Sequence, residues 1–156
     1  MLEIAIPGRD NLILQHLVCD VNGTLAVDGR LIPGVADLIH ALQPILTIHL
    51  ITANTHGRQS EIDAELGTTA VLVEDGYEAE QKAAFVRSLG KAATAAIGQG
   101  ANDLEMLKEA ALGICVLSPE GTFVPSLLGS DLVFPDIISA FEFFHHPTRI
   151  IATLRR

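Results

Sequence analysis

The chain has no tryptophan, a single tyrosine, and only ten lysines and arginines among its 156 residues. Set against nineteen aspartates and glutamates, that leaves a net charge of −9, and aromatic residues make up 4% of the sequence. A general nucleic-acid surface needs basic patches and stacking rings, so both shortages argue against one. The sole basic cluster, Arg149, Arg155 and Arg156, is more simply read as cations favoured near a helix C-terminus. Cysteine is scarce as well. Cys19 and Cys115 both lie in apolar, strand-like runs, which predicts buried reduced thiols and no disulfide. No apolar run approaches the roughly 20 residues that a membrane helix requires, and Thr47 and His49 interrupt the run from Ile45 to Ile51. The opening Met1, Leu2, Glu3 lacks the basic region and apolar core of an export signal, so a cytoplasmic protein with no membrane partner is expected.

What the chain does have is apolar material, 49% hydrophobic residues against 19% charged, at a length suited to one globular domain over 1–156. Strand-length apolar runs alternate with stretches of helical period, the pattern of a parallel sheet covered by helices. Leu12 to Cys19, Ile45 to Ile51, Ala70 to Val73, Thr94 to Ile97, Leu112 to Leu117 and Leu132 to Phe134 read as six strands. Leu2 to Ile6 reads as an added edge strand. After Pro33, the residues Val35, Leu38, Ile39 and Leu42 fall on one helix face, and Pro44 ends that helix. Further amphipathic helices are predicted over Arg58 to Leu66, Ala79 to Leu89, Ala101 to Ala111 and Asp136 to Phe144. Short connections with right-handed crossovers then build a three-layer α/β/α Rossmann-like sandwich.

In such a sheet, ligands bind beyond the carboxyl ends of the strands, where strand order reverses. Three clusters should meet there: Asp20 to Thr24 after the first run, Thr52, Ala53 and Asn54 after the second, and Gly98 to Asp103 after the fourth. A carboxylate at a strand end, followed by Gly23 and Thr24 so that the chain turns around an anion, can attack phosphorus. Thr52 offers a hydroxyl and Lys82 a fixed positive charge for phosphoryl oxygens. Asp103 offers oxygen to a hard cation such as Mg²⁺. Together these groups suit phosphoryl transfer, which is mostly positioning and charge stabilisation.

Asp20-Val21-Asn22-Gly23-Thr24-Leu25 resembles the first motif, Asp-x-Asp-Gly-Thr, of the haloacid dehalogenase-like phosphohydrolases. Thr52 matches that superfamily's second motif and Lys82 its third, while Gly98 to Asp103 resembles the Gly-Asp-Gly-x-Asn-Asp of P-type ATPase phosphorylation domains. The likeness continues from Leu104 to Ile114, and the small soluble P-type-ATPase-like members are the nearest in pattern. The resemblance implies that Asp20 is the nucleophile of an aspartyl-phosphate. It implies Mg²⁺ held by Asp20, the main-chain carbonyl of Asn22, Gln99 and Asp103. Thr52 and Lys82 then bind the phosphoryl group, with Gly23, Thr24, Ala53, Asn54 and Asn102 as further substrate contacts.

Two departures bear on rate. The superfamily's phosphatases carry a second Asp where this chain has Asn22, and an amide cannot shuttle a proton, a loss of about 10²–10⁴ in rate. P-type ATPases carry Thr there and still form the aspartyl-phosphate. Gln99 replaces an Asp that binds Mg²⁺, so the cation should bind more weakly than in a fully acidic site. The leading expectation is a Mg²⁺-dependent phosphohydrolase or phosphotransferase with slow turnover on a small phosphorylated molecule. The alternative is a non-catalytic domain that senses phosphate or a phosphometabolite in the same pocket. A receiver-like phosphoacceptor would need an acidic pair on an earlier strand, which is absent, and the glycine-rich fourth motif disfavours dehalogenation.

About twenty residues separate Leu25 from Leu46, too few for the cap domain that many such enzymes insert there. Capless relatives often assemble so that a neighbour shields the pocket, which favours a homo-oligomer. Phe141, Phe143 and Phe144 place three of the six phenylalanines within four residues, more than one helix face buries. Core packing is the main reading of that cluster, and an oligomer contact for part of it the alternative. Asn54 and His56 are candidates for the pocket mouth. Adjacent His145 and His146 point about 100° apart on a helix and make no metal pair. His16, His40 and His49 should be packed or half-exposed.

Overall fold

The computed structural model describes residues 1–53 and 57–156. Two short strands, β1 (Leu2–Ile4) and β2 (Leu12–Leu14), form an antiparallel ribbon. The main sheet begins with β3 (His16–Asp20), followed by the hairpin β4 (Ala26–Val27) and β5 (Arg30–Leu31), then α1 (Val35–Leu42) and β6 (Thr47–Thr52). After these come α2 (Gln59–Leu66), β7 (Val71–Leu72), α3 (Glu78–Leu89) and β8 (Thr94–Gly98). A 3-10 turn over Ala101–Asp103 runs into α4 (Leu104–Glu109), then β9 (Leu112–Val116), α5 (Val124–Gly129) and β10 (Leu132–Phe134). Helices α6 (Ile137–Phe144) and α7 (Pro147–Leu154) complete the order.

Six strands pair in the order β10-β9-β8-β3-β6-β7, and every pairing is parallel. Side chains alternate across the sheet at the strand period of two. Leu17, Cys19, Ala95, Ile97, Leu112, Ile114 and Val116 face one layer, with α1, α2, α6 and α7. Val18, Ala96 and Cys115 face the other, with Val86 of α3 and Met106 and Leu107 of α4. The expected three-layer α/β/α sandwich is therefore present, and between β3 and β6 the chain carries only the hairpin and α1.

Four details differ from the sequence-based expectation. The run from Leu12 to Cys19 is two strands, because Gln15 breaks it to pair sideways: its N–H donates to Ala93 and its carbonyl accepts from Thr47. Leu2 to Ile6 is no edge of the main sheet, since β1 pairs with β2. The helix from Ala101 to Ala111 is a tight 3-10 turn followed by six α-helical residues. The hairpin β4–β5 and helices α5 and α7 were not anticipated, although their signals are ordinary. Asp28-Gly29 makes the two-residue hairpin turn with φ of 51° and 73°, and prolines stand at the starts of α5 and α7.

All three phenylalanines of the C-terminal cluster are buried, at 0%, 3% and 1% exposure for Phe141, Phe143 and Phe144. Helix α6 packs against α1 and α7, so more than one of its faces is covered. The ring of Phe143 meets Phe134 and Phe144 edge-on, with centroids 5.0 and 6.3 Å apart. The cluster is core, and none of it is left for an oligomer contact. Among the described residues, no helix is long and apolar enough to cross a membrane. Phe141→Ala should lower the unfolding free energy by about 3–5 kcal/mol in urea titrations. Leu128→Ser, at a 76% exposed site, should change it by less than about 0.5 kcal/mol; equal effects would contradict this packing.

Candidate active site

Chain order reverses beside β3. The chain runs outward through β6 and β7, then returns to lay β8 on the other side of β3. The carboxyl ends of β3, β6 and β8 therefore meet at a switch point, where parallel sheets bind ligands. Asp20 is the last residue of β3, Thr52 the last of β6 and Gly98 the last of β8. Lys82 comes from the second turn of α3, which crosses the same face of the sheet as α4.

A single buried ammonium ties these elements together. Lys82 Nζ donates to Asp20 Oδ1 and to Asp103 Oδ1, each at 2.7 Å, and its side chain is fully buried. The other oxygen of Asp20 accepts from Thr24 Oγ1 at 2.9 Å. The other oxygen of Asp103 accepts two main-chain N–H bonds, from Gln99 at 2.9 Å and Gly100 at 2.8 Å. Gly98 is required for that approach, because a Cβ on it would stand 2.5 Å from Asp103 Cγ.

Two carboxylates thus share one cation in a dry site. Burial pushes the Asp20 carboxyl up to about 6, the Asp103 charge adds to that rise, and Lys82 and Thr24 oppose it. Burial works against the Lys82 ammonium, but the two carboxylates outweigh it and hold the group above its usual range. Burial also raises both thiols, Cys19 with help from Asp20 and Cys115 to about 11, so neither is a nucleophile at neutral pH.

The remaining predicted residues close the mouth. Asn22 Nδ2 donates to Thr52 Oγ1 at 3.0 Å, joining the first two motifs directly. Gln99 Nε2 donates to the Asn22 carbonyl at 3.3 Å. Gly23, at φ +81°, lies under that amide, and a Cβ there would come within 2.0 Å of Gln99 Nε2. Ala53 follows β6 and is partly buried, while Asn102 sits in the 3-10 turn at the edge of an open cleft with Gly76 and Tyr77. Asn54 and His56 lie outside the described residues. His16 and His49 pair with each other, ring nitrogens 3.2 Å apart, with His16 at the opposite end of β3 from Asp20 and His49 in the middle of β6.

One residue near the mouth was missed by sequence reasoning. Glu120, in the loop after β9, accepts from the Asp28 N–H of the hairpin turn at 2.6 Å. Its Oε2 lies 3.1 Å from the point where a Gly23 Cβ would project. The signal was available, since β9 is another strand of the same sheet and Ser118 to Gly121 follow its carboxyl end.

For a hard cation the site supplies oxygens: the carboxylates of Asp20 and Asp103, the Asn22 carbonyl and, with its amide turned over, Gln99 Oε1. Among the described residues no cluster of three or more His, Cys, Asp or Glu could hold a metal, so any fit depends on those carbonyl and amide oxygens. Burial first, and then the Asp103 charge, raise the Asp20 carboxyl, and a cation would relieve that cost. The donor set therefore fits Mg²⁺.

No protein-family profile matches the sequence. Over 60 residues the chain is 45% identical to an uncharacterized protein of Methanocaldococcus jannaschii, covering 38% of this chain and 64% of that one. The chain thus spans just under two thirds of that relative. Among solved structures it is similar to 3-deoxy-D-manno-octulosonate 8-phosphate phosphatase of Moraxella catarrhalis in complex with magnesium, phosphate and the sugar acid. That match has a TM-score of 0.64 at 22% identity and covers 91% of this chain and 94% of the other. A phospho-aspartyl intermediate analogue of phosphoserine phosphatase matches with a TM-score of 0.62 at 14% identity, covering 84% and 99%. A zinc-transporting P-type ATPase matches with a TM-score of 0.60 at 24% identity over 78% of this chain and 20% of that one.

The raised Asp20 carboxyl has a consequence for stability. A carboxyl at about 6 in the folded protein and 3.8 unfolded favours folding fully below about pH 4, a contribution lost as pH rises through 6. In metal-free protein, Asp20→Asn should therefore be about 2–3 kcal/mol more stable relative to wild type at pH 8 than at pH 4. Urea titrations at the two pH values measure the change, and a difference that does not move with pH would contradict the charge excess.

Proposed function

We propose that this chain, which has the haloacid dehalogenase-like fold, is a Mg²⁺-dependent phosphohydrolase or phosphotransferase that takes a phosphoryl group onto Asp20 and releases it slowly. The observation that carries the reading is the Asp20 carboxylate at the end of β3, fixed between Thr24 Oγ1 and Lys82 Nζ. Oriented this way it is a nucleophile for phosphorus, and it meets the substrate where β6 brings Thr52. Support comes from the phosphatases of the same fold, one holding magnesium, phosphate and a sugar acid and another named as a phospho-aspartyl analogue. The substrate class is a small phosphorylated molecule.

Each side chain has a role in that reaction. Thr24 and Lys82 hold Asp20 so that one oxygen can attack phosphorus in line with the leaving oxygen. Lys82 and the Thr52 hydroxyl stabilise charge on the equatorial phosphoryl oxygens, and Asn102 and the main chain at Gly23 and Ala53 line the approach. Asp103, anchored by two N–H bonds, keeps Lys82 in place. Asp20, the Asn22 carbonyl, Gln99 and Asp103 would hold Mg²⁺, which would supply Lewis acidity and offset phosphoryl charge there. Asn22 orients Thr52 but carries no proton to exchange. Donors whose leaving group needs no proton, such as acyl phosphates, therefore suit the first half-reaction, and hydrolysis of the aspartyl-phosphate is the slow half.

Incubation with Mg²⁺ and acetyl phosphate should add one phosphoryl group to wild type by intact-protein mass, and none to Asp20→Asn. Asn22→Asp should raise turnover of para-nitrophenyl phosphate by ~10² or more, as expected for restored general acid–base help. Thermal stabilisation by phosphate with no adduct and no turnover in any variant would favour the phosphate-sensing alternative.

A further inference from the structure

Among the described strands, the first half of β6 is an open edge, since β7 pairs only with Ile51 and Thr52. There β6 is held in the sheet by β3 alone, and two imidazoles bridge the pair. His16 shares a face of β3 with Val18, and His49 a face of β6 with Ile51, so both rings stand on the side covered by α3 and α4. His16 Nδ1 and His49 Nε2 are 3.2 Å apart, with ring centroids at 5.2 Å, and both residues are half-buried. Phe85 of α3 meets the His49 ring edge-on at 5.6 Å. The strand neighbours are uncharged: Thr47 and Thr94 stand opposite His16, and Val18 opposite His49. Charged groups on the covering helices are engaged elsewhere, Lys82 with Asp20 and Asp103, Arg87 with Glu80 and Glu109, and Lys108 with Glu105. Lys91, before β8, pairs with Glu109. The Met1 amine, in the pocket beside His16, donates to the Ile45 carbonyl. Among the described residues, the charge that acts on His49 is that of His16.

We infer that His16 and His49 form a pH-sensitive clasp between β3 and β6, which stays closed while the pair has a bare ring nitrogen to share and opens when both rings are protonated. In the neutral pair one facing nitrogen donates and the other accepts. One added proton leaves an N–H facing a bare nitrogen, so the contact survives. A second puts an N–H on both facing atoms and sets two like charges against each other with no carboxylate between them. Burial first, and then the His16 charge, hold His49 below its usual value of 6.5. The folded chain then binds fewer protons than the unfolded one. The clasp's contribution is therefore complete above about pH 6.5 and is lost as pH falls through the His49 value, the opposite sign to Asp20. Opening releases the half of β6 that has no outer neighbour. Because β3 ends on Asp20 and β6 on Thr52, acid loosens from the far end the strand that carries Thr52.

Three measurements on metal-free protein read the clasp. In proton NMR titrations of the imidazole Cε1–H signals, His16→Gln should move the His49 midpoint upward, and an unchanged midpoint would overturn the coupling. In thermal unfolding, the Tm advantage of wild type over His49→Gln should shrink by about 2–4 °C between pH 7 and pH 4.5. Asp20 titrates in both chains and cancels from that difference, and an advantage that stays constant would overturn the clasp. Glutamine keeps a donor and an acceptor at position 49, so a merely structural hydrogen bond would survive the substitution at both pH values. Wild type alone provides the third reading, whether or not the variants fold. Amide protection over residues 47–50, corrected for intrinsic exchange, should fall between pH 7 and pH 4.5 while that of β9 holds, and protection that changes equally in both strands would overturn the local opening.

Discussion

The Lys82 ammonium, buried completely and shared between Asp20 and Asp103, is the interaction on which the rest of the site depends. Its three charges come from three elements: the end of β3, the second turn of α3 and the 3-10 turn after β8. None of them could be withdrawn from water alone, since an uncompensated buried charge costs several kcal/mol. The trio therefore acts as a register mark. It is satisfied only when β8 lies beside β3 and α3 crosses the same face, which is the arrangement of the sheet. Asp103 is anchored further by two main-chain N–H groups, which is why its turn is the tight 3-10 form and why Gly98 can carry no side chain.

That arrangement is deliberately unbalanced by one charge. Burial, with two carboxylates to one ammonium, makes Asp20 costlier to ionise than a free carboxylate, a cost in stability of the kind common at reactive sites. Asn22 and Gln99 limit the imbalance. A carboxylate at either position would deepen the negative potential, grip a cation harder and repel an incoming phosphate more. The amides instead bond to Thr52 and to the Asn22 carbonyl, so the mouth is organised by neutral hydrogen bonds.

Much of this was legible from sequence because the informative residues sit immediately after apolar runs. Asp20 and Thr52 end strands whose hydrophobic pattern is unmistakable, and the rule that ligands gather at a switch point brought them together with Asp103 before any geometry was known. Lys82 was legible only through motif resemblance, since nothing in a helix of mixed period marks one lysine as buried. The boundaries failed where pairing overrode hydrophobicity. Gln15 splits one apolar run because its backbone bonds sideways to Ala93 and Thr47. The phenylalanine cluster exceeded one helix face, yet α7, a helix not foreseen, packs against α6 and helps cover the excess.

Glu120 was overlooked for a different reason, although its loop follows a strand end. It belongs to no motif, and its position has meaning only when the β9 loop, the hairpin tip and Gly23 are seen to converge. The Asp28-Gly29 turn fixes where that tip lies, because a two-residue hairpin with both φ values positive has little freedom to wander. Gly23, lacking a Cβ, leaves the space that Gln99 and Glu120 fill from the adjoining strands. A chain with no cap between β3 and β6 must shape its pocket from such short loops. Here the loops after β3, β8 and β9 are linked through Gln99 and Phe123, so a change in any one is felt by the others. Groups that meet a ligand at that edge can then come from several strands at once, because the parallel order delivers every loop to the same edge.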